Sequence, residues 1–155
     1  MNDQTATAFL RDVRHPLLAL HRSVLAHLRA RHEAEFGPVS PGEFLQIVIN
    51  GSAYRWLTPL STLIAAIDDV LDDDEATADA RIAHAKAVAD MFSAGTRDPV
   101  FAEQFLPLLQ DSPEVAVANG QVAQHVRSVD DGLHQVARPN RCVIVTRRGS
   151  KPGVL

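Results

Sequence analysis

The chain has 155 residues and a mass of 16.9 kDa, enough for one compact domain and short for two. With 46% hydrophobic and 22% charged residues and a mean hydropathy of −0.05, its composition is that of a globular protein and excludes disorder over the whole length. No stretch approaches the roughly 18 apolar residues of a membrane span, and the first residues lack the basic and apolar runs of a secretory signal, so a cytoplasmic location is expected. The single cysteine, Cys142, excludes an internal disulfide and a cysteine-built zinc site.

The net charge of −4 is unevenly spread. Residues 137–155 carry Arg138, Arg141, Arg147, Arg148 and Lys151 with no acid, whereas the remainder holds ten basic against 19 acidic residues. A basic tail of this kind either stays solvated or folds back on its own acidic body, or it meets an anionic partner such as nucleic acid or lipid headgroups. It has no aromatic residue to stack on a base, and the body to which it is attached repels phosphate; both argue against nucleic acid.

Five prolines punctuate the chain, in His15-Pro16, Ser40-Pro41, Thr58-Pro59, Asp98-Pro99 and Ser112-Pro113. Proline suits the first helical position, where its missing N–H would be unpaired anyway, and a preceding Ser, Thr or Asp can accept from a free N–H of the first turn. Four of the five therefore predict capped helix starts, and Ser40-Pro41-Gly42-Glu43 has the form of a full capping box.

From Pro16, the apolar residues Leu17, Leu20, Val24, Leu25, Leu28 and Phe36 recur at steps of three and four, with His32 on the same stripe, until Gly37-Pro38 stops the helix. Phe9, Leu10 and Val13 extend the period upstream, so residues 5–14 form either a separate short helix or the front half of one kinked at Pro16. Residues 41–50 are apolar on nearly every side, which fits a buried helix or strand, and the capping box selects a buried helix ended by Asn50-Gly51. A linking turn, 52–57, leads to a helix from Thr58-Pro59 with Leu60, Leu63, Ile64, Ile67, Val70 and Leu71 on one stripe. An Ala-rich helix spans 76–94 and closes at Gly95; the next, after Asp98-Pro99, is expected to kink or split at Pro107.

From Pro113 to Val136, Val115, Val122, Val129 and Val136 repeat every seven residues, interleaved by Asn119, Val126 and Leu133. That heptad seam favours nearly parallel helix packing, inside one bundle or between two chains. In the tail, Cys142 to Val145 has β-forming character but no strand to pair with, so disorder or docking as an extended arm is expected.

Chemistry-bearing residues concentrate in two places. Asp68, Asp69, Asp72, Asp73, Asp74 and Glu75 form the densest acidic cluster, and acids one helical turn apart offer oxygen ligands to a divalent cation. The same acids also read as a helix junction in which Asp73 or Asp74 caps a helix from Ala76. Asn50 to Trp56 gathers the only tryptophan, the only tyrosine and Arg55 at a helix corner. Exposed, Tyr54, Arg55 and Trp56 make a hot spot for a protein or a stacked ligand; buried, the two rings wedge helices together. The seven histidines contain no HxxxH pair, and no nucleophile motif or phosphate loop is present.

Asp68-Asp69-Val70-Leu71-Asp72 resembles the aspartate-rich motif of prenyl-chain synthases, in which such acids hold magnesium against a diphosphate, but nothing else in the chain is similar to that family. Residues 39–69, with Ser40 to Glu43, the apolar run to Asn50, Trp56 to Ser61 and Ile67-Asp68, resemble a group of small uncharacterised bacterial all-helical proteins. That resemblance implies helices and no reaction, cofactor or partner.

The combined expectation is one all-α domain over residues 1–136, a compact bundle of five to seven helices, followed by a basic arm over 137–155. It would act without catalysis through protein contacts, as a homodimer or adaptor, with Tyr54, Arg55 and Trp56 at the interface. The alternative is a divalent-metal- or ligand-binding protein using Asp68, Asp69 and Asp72.

Overall fold

The computed structural model describes residues 1–93 and 97–136, the last five by their backbone. Six α-helices and one 3-10 turn account for nearly all of them, with no strand among the described residues: α1 Asp3–Phe36, α2 Pro41–Asn50, the 3-10 turn Ser52–Leu57, α3 Thr58–Asp72, α4 Ala78–Phe92, α5 Pro99–Asp111 and α6 Pro113–Val136. The basic arm and its Cys142 to Val145 segment lie outside the described residues, as does Gly95.

The spine is α1, one continuous helix of 34 residues running through Pro16. An interior proline costs about 3 kcal/mol through a lost bond and a steric clash. Against that stands a stripe of eight buried residues, Ala6, Phe9, Leu10, Val13, Leu17, Leu20, Val24 and Leu28, which passes the proline on both sides. Each large side chain so buried contributes about 1.5–3 kcal/mol, so the stripe outweighs the defect. Pro107 is likewise carried inside α5 without splitting it, at an exposed position.

Around the spine the helices alternate in direction. Arg14 Nε lies 2.5 Å from Asp68 Oδ1, and His21 Nε2 lies 2.9 Å from Ser61 Oγ, so α3 runs antiparallel to α1. After the short α3–α4 loop, Arg81 donates to both carboxylate oxygens of Asp3, at 2.6 and 3.0 Å, tying the start of α4 to the start of α1. The start of α6 lies beside Ala26, His27 and Ala30, while Val117 and Gln121 lie beside Ser23, so α6 also runs antiparallel to α1. The heptad seam is used inside the chain: its Val115, Val122 and Val126 are buried in the common core, with Ala118 beside them. Asn119, the polar member of the seam, has its Oδ1 shut off from solvent without a hydrogen-bond partner among the described residues, a local cost.

The helix starts follow the sequence with two exceptions. Ser40 and Glu43 close their capping box, with both bonds at 3.2 Å; Asp98 accepts from the N–H groups of Val100 and Phe101, and the buried Ser112 accepts from Val115. Thr58, however, gives α3 no side-chain cap: the 3-10 turn feeds directly into α3, so Thr58 is already helical. Nor do Asp73 or Asp74 cap α4. Thr77 does, accepting from Ala80 N at 3.1 Å, and α4 begins at Ala78 rather than Ala76, while Asp73 accepts from Glu75 N inside the loop.

At the far end of α1, Gly37 adopts φ 91° and ψ 177°, a region essentially restricted to glycine. Its N–H still closes on Glu33 O, so the chain leaves the helix at a sharp angle toward α2. Arg29 fixes that exit by donating to Glu33 Oε1 and to Val39 O, and Glu33 Oε1 also accepts from Val39 N. Beyond α2, a Cβ on Gly51 would stand 2.5 Å from Ile47 O, so only glycine lets the chain turn this closely against the helix it has left.

Two outcomes are expected. Gly37→Ala lowers unfolding free energy by about 1–3 kcal/mol, measured by urea denaturation. Burial holds the His21 imidazole below its ordinary pKa, so the folded state favours the neutral ring. The stability this contributes is complete above about pH 6.5 and declines as pH falls from there through the lowered folded value. His21→Gln should flatten that limb of a melting-temperature profile between about pH 8 and pH 5.

Candidate functional site

The last two turns of α1 extend beyond the helices that bury the rest of it: no residue of α1 after Leu28 belongs to the buried core. Beside that overhang lies a groove of about 380 Å³, walled by α1, the 3-10 turn and α5. Leu28 and Leu108 supply aliphatic surface, Tyr54, Trp56 and Phe36 supply rings, and Arg31, His32, Glu35 and Gln104 supply the polar rim.

An aromatic chain holds this end together. His32 contacts Phe36 at 4.9 Å between ring centroids and Phe44 of α2 at 5.8 Å, and Phe44 meets Tyr54 edge-on at 5.8 Å. Trp56 contacts Phe101 at 6.0 Å, Phe101 stacks on Phe105 at 4.8 Å, and Phe105 meets Phe92 edge-on. Such pairs add about 0.5–1.5 kcal/mol each beyond their buried area, so these rings set the shape of the groove.

The residues expected to form one hot spot divide between three environments. Trp56 is only 8% exposed and wedges the 3-10 turn against α5; its edge reaches the groove, but its energy lies in the core. Tyr54 is half-buried and lines the groove beside Phe44, while Arg55 is exposed. For Trp56 the wedge reading therefore holds over the exposed one.

The expectation of a buried α2 is overturned. Phe44 alone is buried; Ile47 and Val48 are half-buried, and Leu45 and Ile49 are 48% and 64% exposed. The helix touches the rest of the fold mainly through the 3-10 turn, and at 3.6 residues per turn Leu45 and Ile49 stand about 100–140° around from Phe44. Phe36, 71% exposed at the end of α1, adds a third apolar side chain to the same end of the molecule. The sequence carried a signal for this: a ten-residue helix apolar on nearly every side needs walls on every side, and the neighbouring segments are too short to provide them.

Asp68, Asp69 and Asp72 do not come together. Asp68 is turned to Arg14, while Asp69 lines an open groove at the α3–α4 junction with Asp73, Glu75 and His84, and Asp72 is exposed outside it. Among the described residues no three His, Cys, Asp or Glu side chains are grouped to hold a metal ion. The arginines and lysine considered for anionic partners, Arg138 to Lys151, lie outside the described residues. None of the described helices is long and apolar enough to cross a membrane. Comparison with protein families, curated proteins and solved structures finds no match.

The division of Tyr54, Arg55 and Trp56 is testable by urea denaturation. Trp56→Ala should cost about 3–5 kcal/mol as a core cavity, whereas Arg55→Ala should stay within about 0.5 kcal/mol of the parent chain.

Proposed function

We propose that this protein is a non-enzymatic binding module of the cytoplasm that engages another polypeptide through the apolar end formed by the groove, Phe36 and the outer flank of α2. The observation that carries the reading is the concentration of exposed large apolar side chains there. Three of the six exposed large apolar side chains among the described residues, Phe36, Leu45 and Ile49, lie on two consecutive helices, and Phe36 is itself a wall of the groove.

Scattered exposed leucines are ordinary, but apolar side chains gathered beside a concave apolar surface with a polar rim are the usual composition of a protein-binding patch. Burying such side chains recovers about 25 cal/mol per Å² of apolar area, and water-exposed α2 gains most from it because its own fold leaves it half covered. The rigid wall beneath, built on Trp56, Phe101 and Phe105, presents the groove preformed and so reduces the ordering cost of binding.

The test is site-specific photo-crosslinking in the cells that produce the protein. With benzoylphenylalanine in place of Leu45 or Ile49, a discrete cross-linked species is expected, and it should be absent when the probe replaces the exposed Thr62 on α3. Only uncrosslinked chain at all three positions would defeat the reading.

A further inference from the structure

We propose that the occupant of this apolar end is a second copy of the same chain. The two copies would dock about a two-fold axis level with residue 33 of α1, with Arg31 of each meeting Glu35 of the other and each Phe36 entering the other copy's groove beside Leu28. This rests on the binding reading above and names its partner.

The argument is charge complementarity. The last two turns of α1 carry four charges, and they fall into two kinds. Arg29 and Glu33 satisfy each other at 3.1 Å and hold the turn to Val39. Arg31 and Glu35 are exposed on the groove rim, one turn apart, and neither forms an ion pair among the described residues. One cation and one anion on the same helix face make a pattern that is its own complement when the helix is turned end for end. A two-fold contact requires that property, because residue i meets residue j and j meets i.

The antiparallel register that pairs residue 31 with 35 also pairs 36 with 30, which brings the 71%-exposed Phe36 over the other copy's groove close to Leu28. At about 380 Å³, that groove lies within the range of roughly 300–1,000 Å³ that takes a small ligand or an anchoring side chain. Level with the axis, Ala34 lines the groove with a single methyl group, so two such helices can approach closely.

The experiment is a charge-swap cycle read by sedimentation velocity on the full chain from about 5 to 500 µM, since a dimer of this kind depends on concentration. The parent chain is expected to dimerise. Arg31→Glu and Glu35→Arg each place like charges opposite one another twice per dimer and should raise the dissociation constant at least about tenfold, and more at low salt than at high salt. The double swap Arg31→Glu with Glu35→Arg should return the constant to within about threefold of the parent. Both positions are exposed, and unchanged thermal melts of the variants would confirm intact folding.

A chain that stays monomeric throughout, or a dimer indifferent to the single swaps, would overturn the proposal. A strict monomer whose probe at position 45 still captures a different polypeptide would remove self-association while leaving the apolar end as a binding surface. A monomer with no capture would remove both.

Discussion

Burial of one continuous stripe along α1 is the constraint on which the rest of the structure depends. At 1.5 Å per residue the helix is about 51 Å long, longer than any helix that covers it. Its stripe, stepping by three and four from Ala6 to Leu28, is what α3, α4 and α6 assemble around. The proline in its fourth turn should divide it, and the helix persists because the residues on either side are already committed to the same core. The cost of the missing N–H is a local term of a few kcal/mol, and the stripe is a collective one.

The mismatch in length between the spine and its cover explains the candidate site. α3 begins opposite the mid-twenties of α1 and α6 begins opposite Ala26 to Ala30, so the final two turns have no full-length neighbour. Short elements close that gap: α2, the 3-10 turn and α5 from Gln104 to Leu108. Short elements have few faces to offer, and what they cannot cover stays as a groove and an exposed apolar flank. The Arg29–Glu33–Val39 bonds and Gly37 hold the chain exit in a fixed direction. The resulting surface is a preformed feature of the bundle, with the buried Trp56 as its support.

The opposite end of the bundle illustrates how the same residue types serve a structural purpose. The acids of the α3–α4 junction are the densest cluster of functional side chains in the sequence, yet Asp68 is drawn to Arg14 and Asp73 organises the loop. Asp3 and Arg81 tie the first turns of α1 and α4 together in a bidentate pair that lowers the Asp3 pKa through the hydrogen bonds from Arg81. These are attachments between helices, and among the described residues no three His, Cys, Asp or Glu side chains are grouped there to hold a metal ion.

The sequence by itself determined the elements, because their signals are local. The capping box at Ser40, the caps at Asp98 and Ser112, the stop at Gly37 and the stripes of α1 and α3 act within one or two turns and need no distant partner. The all-α class follows from them. Only the tertiary structure decided what each element covers. Whether Pro16 divides a helix, whether Trp56 faces water or Phe101, whether Asp68 meets a metal ion or Arg14, and whether Leu45 and Ile49 are buried depend on neighbours 40 or more residues away in several cases. Periodicity records which side of a helix is apolar, whereas exposure depends on the lengths of the helices that come to lie against it, a comparison between elements that no single segment contains.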